Sequence, residues 1–247
     1  MAALQHQQFR KIAFYLRGFL EYFLVPNRYY RKRLSDWLAL ANQYDPNELN
    51  RRVCYYHKLD RPFDVPEEAL RMNQIAKKKA TYYIDLRRIL RHFPRSVRAY
   101  ARFGDITNVS TSPSFVKTRP IEGPNENSVL LRLNSIRHFR PVADSLPFRL
   151  KKDTLVWRGM VKPNSQRSTL FKKHFGNPLM DIGMSKGRSE PEMQEWRKPF
   201  LSIPEQLQHK FILSVEGNDV ATNLKWIAQS NSLCFMSKPR FESWFME

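Results

Sequence analysis

A chain of 247 residues, 42% hydrophobic and 13% aromatic, can hold one large domain or two ordinary ones and is too apolar for global disorder. Lys and Arg number 42 against 23 Asp and Glu, a formal charge of +19, which calls for an anionic partner: nucleic acid, anionic lipid or a phosphorylated substrate. The only cysteines, Cys54 and Cys234, lie far apart without metal spacing and read as two buried reduced thiols, which speaks against a disulfide framework.

The N-terminal stretch lacks the basic, apolar, small-residue order of a signal peptide. No uncharged apolar run approaches the roughly 18 residues of a spanning helix. The expected location is therefore cytoplasmic, or peripheral on the inner face of the cytoplasmic membrane. Residues 3–24 read as one amphipathic helix, with Phe9, Ile12, Leu16, Phe19, Leu20 and Phe23 interrupted by Arg10, Lys11, Arg17 and Glu21, and Pro26 ends it. Residues 10–33 hold seven bases and one acid. One reading is a helix lying on an anionic membrane; the plainer one is a surface helix packed on its own domain.

Residues 34–93 are mostly helical in pattern, with breaks at Asp45-Pro46 and from Pro62 to Pro66. Lys77, Lys78 and Lys79 read as a solvated helix face. Val97 to Phe103 is strand-like and leads into Gly104-Asp105. Residues 106–127, rich in Ser, Thr, Pro and Asn, read as a functional loop. Ser128 to Leu133 returns to a strand pattern. Residues 141–153 read as a boundary. Thr154 to Trp157 forms a strand ending at Arg158-Gly159, with Arg167 on a following helix. Residues 184–200 read as a mobile polar loop.

The last block is the most informative. Phe211 to Val215 is a short apolar strand, Glu216-Gly217-Asn218-Asp219 supplies a turn and a helix N-cap, and Val220, Asn223, Leu224 and Ile227 recur at helical spacing. Ser232 to Met236 begins a second strand. A strand–helix–strand unit of this size pairs its strands in parallel and aims a positive helix end at the turn, where phosphate is the usual guest.

Three constellations could carry chemistry. Asp105, at a strand end, is placed to act as a general base, although a turn-capping Asp is the commoner reason for such a position. Arg158, beside Gly159, suits a diphosphate, or equally a structural acid. Lys117, Arg119 and Arg137-His138 add candidate anion contacts, with solvated charge as the default reading. No Asp-x-Asp pair, Walker loop, GxGxxG, HExxH or GxSxG is present, and no metal centre is expected. No helix-turn-helix, zinc or RNP signature accompanies the charge, so nucleic acid is not an expected partner.

Around these residues the chain resembles the family 90 glycosyltransferases, in their bacterial lipopolysaccharide branch. The fungal capsule-associated transferases and Rumi-type protein O-glucosyltransferases are more distant relatives. The matching stretches are FGDITN at 103–108, SFVKTRPI at 114–121, LLRLNSIRHF at 130–139, LVWRGM at 155–160, LMDIG at 179–183 and the block from Phe211 to Phe245. The resemblance implies an α/β, GT-B-like fold, with two Rossmann-like domains facing a cleft and a largely helical N-terminal region. The domains would be 1–147 on the acceptor side and 148–247 for the nucleotide-sugar.

The resemblance also implies transfer of a hexose from a UDP-sugar to the lipopolysaccharide core, inverting and metal-independent, with Asp105 as base. Donor binding would fall to Arg158, Gly159, Arg167, Asp181, Glu216, Gly217, Asn218, Asp219, Asn223 and Lys225, with Lys117, Arg119 and Lys238 as further anion contacts. No cofactor is implied. Eukaryotic relatives carry Arg where this chain has Asn223, and the family pattern continues past the position of Glu247, which implies an incomplete donor domain. A non-catalytic remnant that binds anionic glycolipid or membrane is the alternative.

Overall fold

The computed structural model describes residues 2–75, 80–138, 142–186 and 190–247. The chain forms two compact units: Met1–Arg137 with Arg240–Glu247, and His138–Pro239. The junction lies about ten residues before the expected boundary, and the final eight residues belong to the first unit rather than the second. Lys77 to Lys79 and Arg140-Pro141 lie outside the described residues.

Unit one opens with helices α1 (Ala2–Leu24), α2 (Asn27–Ala41) and α3 (Pro46–Tyr56). As expected, α1 stops before Pro26, whose extended backbone turns the chain. The α3 start is signalled by Asp45, whose carboxylate accepts from the Asn47 N–H at 2.8 Å, and by Pro46 at the first helical position. Then come β1 (Leu70–Arg71), α4 (Ala80–Leu90), β2 (Arg98–Ala99), β3 (Ser114–Val116), β4 (Thr118–Pro120), β5 (Ser128–Leu130) and the short α5 (Ser135–His138).

The strand expected over Val97 to Phe103 is reduced to β2 and a bridge from Ala101 to Phe115. Strands β3 and β5 pair in parallel, Phe115 opposite Val129. The unit's core gathers Tyr82, Leu86 and Leu90 of α4 with Ala99 and Leu133. One fully buried arginine closes the α1–α2 corner: Arg91 donates to the Glu21 carbonyl at 2.7 Å, to the Val25 carbonyl, and to Asn27 Oδ1 at 2.9 Å. It satisfies carbonyls that a helix C-terminus otherwise leaves open.

Unit two contains β6 (Lys152–Met160), α6 (Gln166–His174), β7 (Met180–Lys186), α7 (Ile203–Gln206), β8 (His209–Leu213), α8 (Leu224–Ala228) and β9 (Leu233–Phe235). Its four strands lie in the order β7-β6-β8-β9, all parallel. The parallel β8–β9 pair is the one the sequence implies. Central β6 is buried on both faces, as strands of a covered parallel sheet are. Val156 packs with Leu207, Ile212, Trp226 and Ile227, and Trp157 packs with Phe171, Ile182, Met184 and Trp196. The strand continues through Arg158 and Gly159 rather than ending before them.

Three other expectations change. The polar stretch 184–200 is not simply a loop: β7 runs to Lys186, and a 3-10 turn over Pro191–Trp196 buries Met193 and Trp196 against Phe171. Helix α8 has five residues and starts at Leu224, so Asp219 is not its N-cap. A tight turn, Gly217 N–H to the Asp219 carbonyl at 3.1 Å, and burial of Val220 and Ala221 hold the intervening segment out of helix. Of the thiols, Cys54 is exposed on α3 and Cys234 half-buried, both free. After β9 the chain re-enters unit one as β10 (Phe241–Ser243), antiparallel to β4 with Glu242 opposite Arg119. Among the described residues no helix is long and apolar enough to cross a membrane.

Candidate donor site

The strand order of unit two fixes where a ligand would sit. From β6 the chain crosses to β7 on one side, then returns past β6 to β8 and β9 on the other. Loops leaving β6 and β8 therefore diverge, and a crevice opens at their carboxyl ends, the usual ligand position in open parallel sheets.

Arg167 occupies that point. It sits in the first turn of α6, which Ser165 and Ser168 close as a reciprocal capping box. Its guanidinium donates to the Met160 carbonyl at the end of β6 at 2.9 Å and to the Val215 carbonyl beyond β8 at 2.7 Å. It also lies 5.2 Å from the Trp157 ring centre. Burial lowers its pKa, and its Nε is buried without a partner among the described residues. Both acceptors are neutral and no described carboxylate lies within ion-pair distance, so the half-buried positive charge is uncompensated.

Beside it runs the loop Glu216–Asp219. Glu216 and Asp219 are buried, whereas Gly217 and Asn218 form its exposed tip. A Cβ on Gly217 would lie 3.1 Å from Arg167 Nη2, so glycine lets the loop close on the guanidinium. Lys162 donates to Asn218 Oδ1 at 2.7 Å. Gln166 of α6 reaches Ser237, one residue from exposed Lys238 in the loop after β9, at 3.3 Å. Asn223 donates to the Leu213 carbonyl at 2.9 Å and accepts from Ser214, tying α8 to the end of β8, and Lys225 is buried next to it on α8. The structure thus brings Arg167, Glu216, Gly217, Asn218, Asp219, Asn223 and Lys225 to one edge. A five-residue α8 starting this far from the loop does not offer the helix end that the sequence had pointed to.

Arg158 does something else. Its Nη2 lies 2.9 Å from both carboxylate oxygens of Asp181, Nη1 donates to the Asp181 and Trp157 carbonyls, and Nε donates to Pro199. Asp181 also takes Lys198 at 2.9 Å. Burial raises the Asp181 pKa, but the hydrogen bonds from Lys198 and Arg158 outweigh it and the net shift is downward. Of the two readings of Arg158, the structural acid is the one present. Gly159 likewise makes room for protein rather than ligand: its Cβ would fall 2.6 Å from the Trp157 ring.

In unit one, Gly104 takes a φ of 129°, a left-handed value that favours glycine, and so delivers Asp105 out of the strand segment. Lys117, only 1% exposed, donates to Asp105 Oδ1 at 2.8 Å. Arg119 is fully buried, bound to Glu242 at 2.6 Å and to the carbonyls of Ser128 and Tyr55. Neither Lys117 nor Arg119 is a surface anion contact as expected, because each cation already serves the interior. Arg137 is in α5, and nothing is described of the His138 side chain.

Sequence reasoning passed over Lys162 and Lys198. Lys162, two residues beyond a strand that ends in Gly-Met, carried a positional signal; Lys198, in a polar stretch, carried none. Among the described residues no three His, Cys, Asp or Glu side chains gather closely enough to hold a metal ion.

An open parallel α/β unit with an uncompensated arginine at its switch point defines a candidate anion-binding unit. No family model matches the chain. Over 248 residues it is 45% identical to the O-glucosyltransferase LpsA of Dichelobacter nodosus, an alignment that covers 98% of this chain and 76% of that protein. The chain belongs to the LpsA-type glycosyltransferases.

Proposed function

We propose that the chain transfers a hexose from a UDP-sugar to a hydroxyl of the lipopolysaccharide core, on the family 90 pattern. The relative's name, O-glucosyltransferase, makes glucose the proposed sugar. The observation that carries the donor assignment is Arg167: a half-buried cation without an anion, at the crevice between β6 and β8. A diphosphate placed there supplies the missing charge, and the exposed Gly217-Asn218 tip and Lys162 flank it.

Growing negative charge on the leaving UDP is stabilised most where a donor is fixed beforehand and shielded from water. Arg167 meets both conditions and would supply part of what a divalent ion supplies in other transferases. On this reading transfer inverts the anomeric centre and needs no metal. Asp105 takes the proton of the acceptor hydroxyl as that oxygen attacks the sugar C1. The Lys117 ammonium fixes the carboxylate's orientation. The acceptor is a phosphorylated glycolipid, which suits the +19 charge, and the protein works in peripheral contact with an anionic membrane.

The test is a calorimetric titration with UDP, UDP-glucose, UDP-galactose and GDP, with EDTA present. Binding of the UDP compounds and not of GDP supports the reading. A folded chain that binds none of them removes the donor site and favours the non-catalytic, anion-binding alternative.

A further inference from the structure

Unit one holds a feature the transfer reaction does not use. A cavity of about 630 Å3 opens between α1 and α4, walled by Ile12, Leu16, Phe19, Tyr83, Ile84 and Arg87. At Gly18, which also lines the groove, the two helices come close, and a Cβ there would lie 3.1 Å from Ile84.

Three arginines line it, Arg87 and Arg88 of α4 and Arg91 just beyond the helix end. Arg88 pairs with Glu21 at 2.9 Å, and Arg91 is consumed by the α1–α2 corner. Arg87 is different. Its guanidinium stacks 4.0 Å from the Tyr22 ring centre, and burial, then the neighbouring Arg91 charge, lowers its pKa. Among the described residues it has no ion-pair or hydrogen-bond partner. A half-buried cation in an apolar wall without an anion is costly, and an anionic ligand would offset that cost.

Whatever fills the groove must join a long apolar body to an anionic head. The surroundings say what carries it. Along α1, Phe9, Ile12, Phe19 and Phe23 are 60–72% exposed. Residues 10–33 hold seven bases, and the one acid, Glu21, is already neutralised by Arg17 and Arg88. Aromatic and aliphatic side chains set in a strongly net-positive stretch complement an anionic bilayer surface.

We propose that α1 and α4 form a docking site for an anionic phospholipid of the membrane, with one acyl chain in the groove and its headgroup phosphate at Arg87. This deepens the membrane contact proposed above, yet rests on unit one alone and not on the donor assignment.

The experiment is cosedimentation of the full chain with vesicles of phosphatidylglycerol or phosphatidylcholine, in parallel with circular-dichroism melts as the control for folding. The chain should bind phosphatidylglycerol and not phosphatidylcholine. Arg87→Gln should weaken binding about fivefold or more, and Arg87→Lys should recover part of it. Phe19→Asp should weaken binding further at an unchanged melt. The double variant Lys172→Gln/Lys173→Gln on α6 should leave binding unchanged. Equal binding to both lipids, or as large a loss in the α6 variant as in Arg87→Gln, overturns the proposal. So does a chain dimer in light scattering that Phe19→Asp dissolves while vesicle binding persists. Loss of UDP binding with vesicle binding intact sinks the donor reading alone.

Discussion

Nη2 of Arg158 lies 2.9 Å from both carboxylate oxygens of Asp181, across neighbouring parallel strands. Every nitrogen of this guanidinium is spent inside the protein. Arg158→Ala should therefore act on stability before it acts on ligand binding, by about 2 kcal/mol, below the usual cost of breaking a fully buried pair because Asp181 is partly exposed and keeps Lys198. Urea denaturation reads the loss, and UDP affinity of the folded fraction should barely change.

Arg167 should behave in the opposite way. Arg167→Ala removes the charge at the sheet's switch point and should weaken UDP binding by about ten- to a hundredfold, the range of a charge-assisted hydrogen bond. Arg167→Lys keeps a charge but not two donors spread to Met160 and Val215, so it should recover only part. Calorimetric titration checks both; full affinity in the Ala variant would remove Arg167 from the site.

Asp105→Asn should lower transfer by about a hundred- to ten-thousandfold, the range of general base catalysis, with UDP affinity intact. Asn still accepts from Lys117 through its carbonyl oxygen but removes the negative charge beside a buried ammonium, so the melting temperature should fall, and transfer is compared where both proteins are fully folded. Turnover at the normal rate would take Asp105 out of the base role.

Gly159→Ala places a methyl where the Trp157 ring lies 2.6 Å away. The indole must shift against Phe171 and Trp196, at about 1–3 kcal/mol. Lower stability with altered tryptophan fluorescence is the expected result.

His209 makes unit two sensitive to mild acid. Burial, then the Lys152 charge, holds its imidazole below the usual 6.5, and Nδ1 lies 2.7 Å from Thr154 Oγ1. The unfolded chain takes the proton first as pH falls. The stability contributed by the neutral ring is complete above about pH 6.5 and is lost toward the lower folded value. The melting temperature should drop as the pH falls below about 6.5, and His209→Asn should flatten that drop.

Local signals carried much of this fold. Helix α1 is legible from its spacing and Pro26, α3 from Asp45-Pro46, and the β8–β9 pair from two apolar runs around Gly217. What periodicity does not encode is which charges go inside. Lys117 and Arg119 look like surface cations in a loop-rich stretch, yet each is buried by a partner outside its own segment: Asp105 for one, Glu242 for the other. Met193 and Trp196 were hidden for the same reason, since two anchors in a polar run gain meaning only once Phe171 stands opposite. The turn after β8 was legible as a turn, but Arg167, the cation that lies against it, differs from Arg158 only in what each one touches.

Arg119 and Glu242 are 123 residues apart. A ribosome adding about 5–20 residues per second would leave Arg119 without its carboxylate for roughly 6 to 25 s, long after most single-domain folding steps are over. All of unit two is made in that interval, while β4 waits for β10. Until Phe241 to Ser243 emerge, the first unit carries an unmatched cation beside an unpaired strand, the kind of surface that chaperones hold and aggregates grow from. Newly made unit one thus stays incomplete through the synthesis of unit two, and co-expressed holding chaperones should raise the soluble yield.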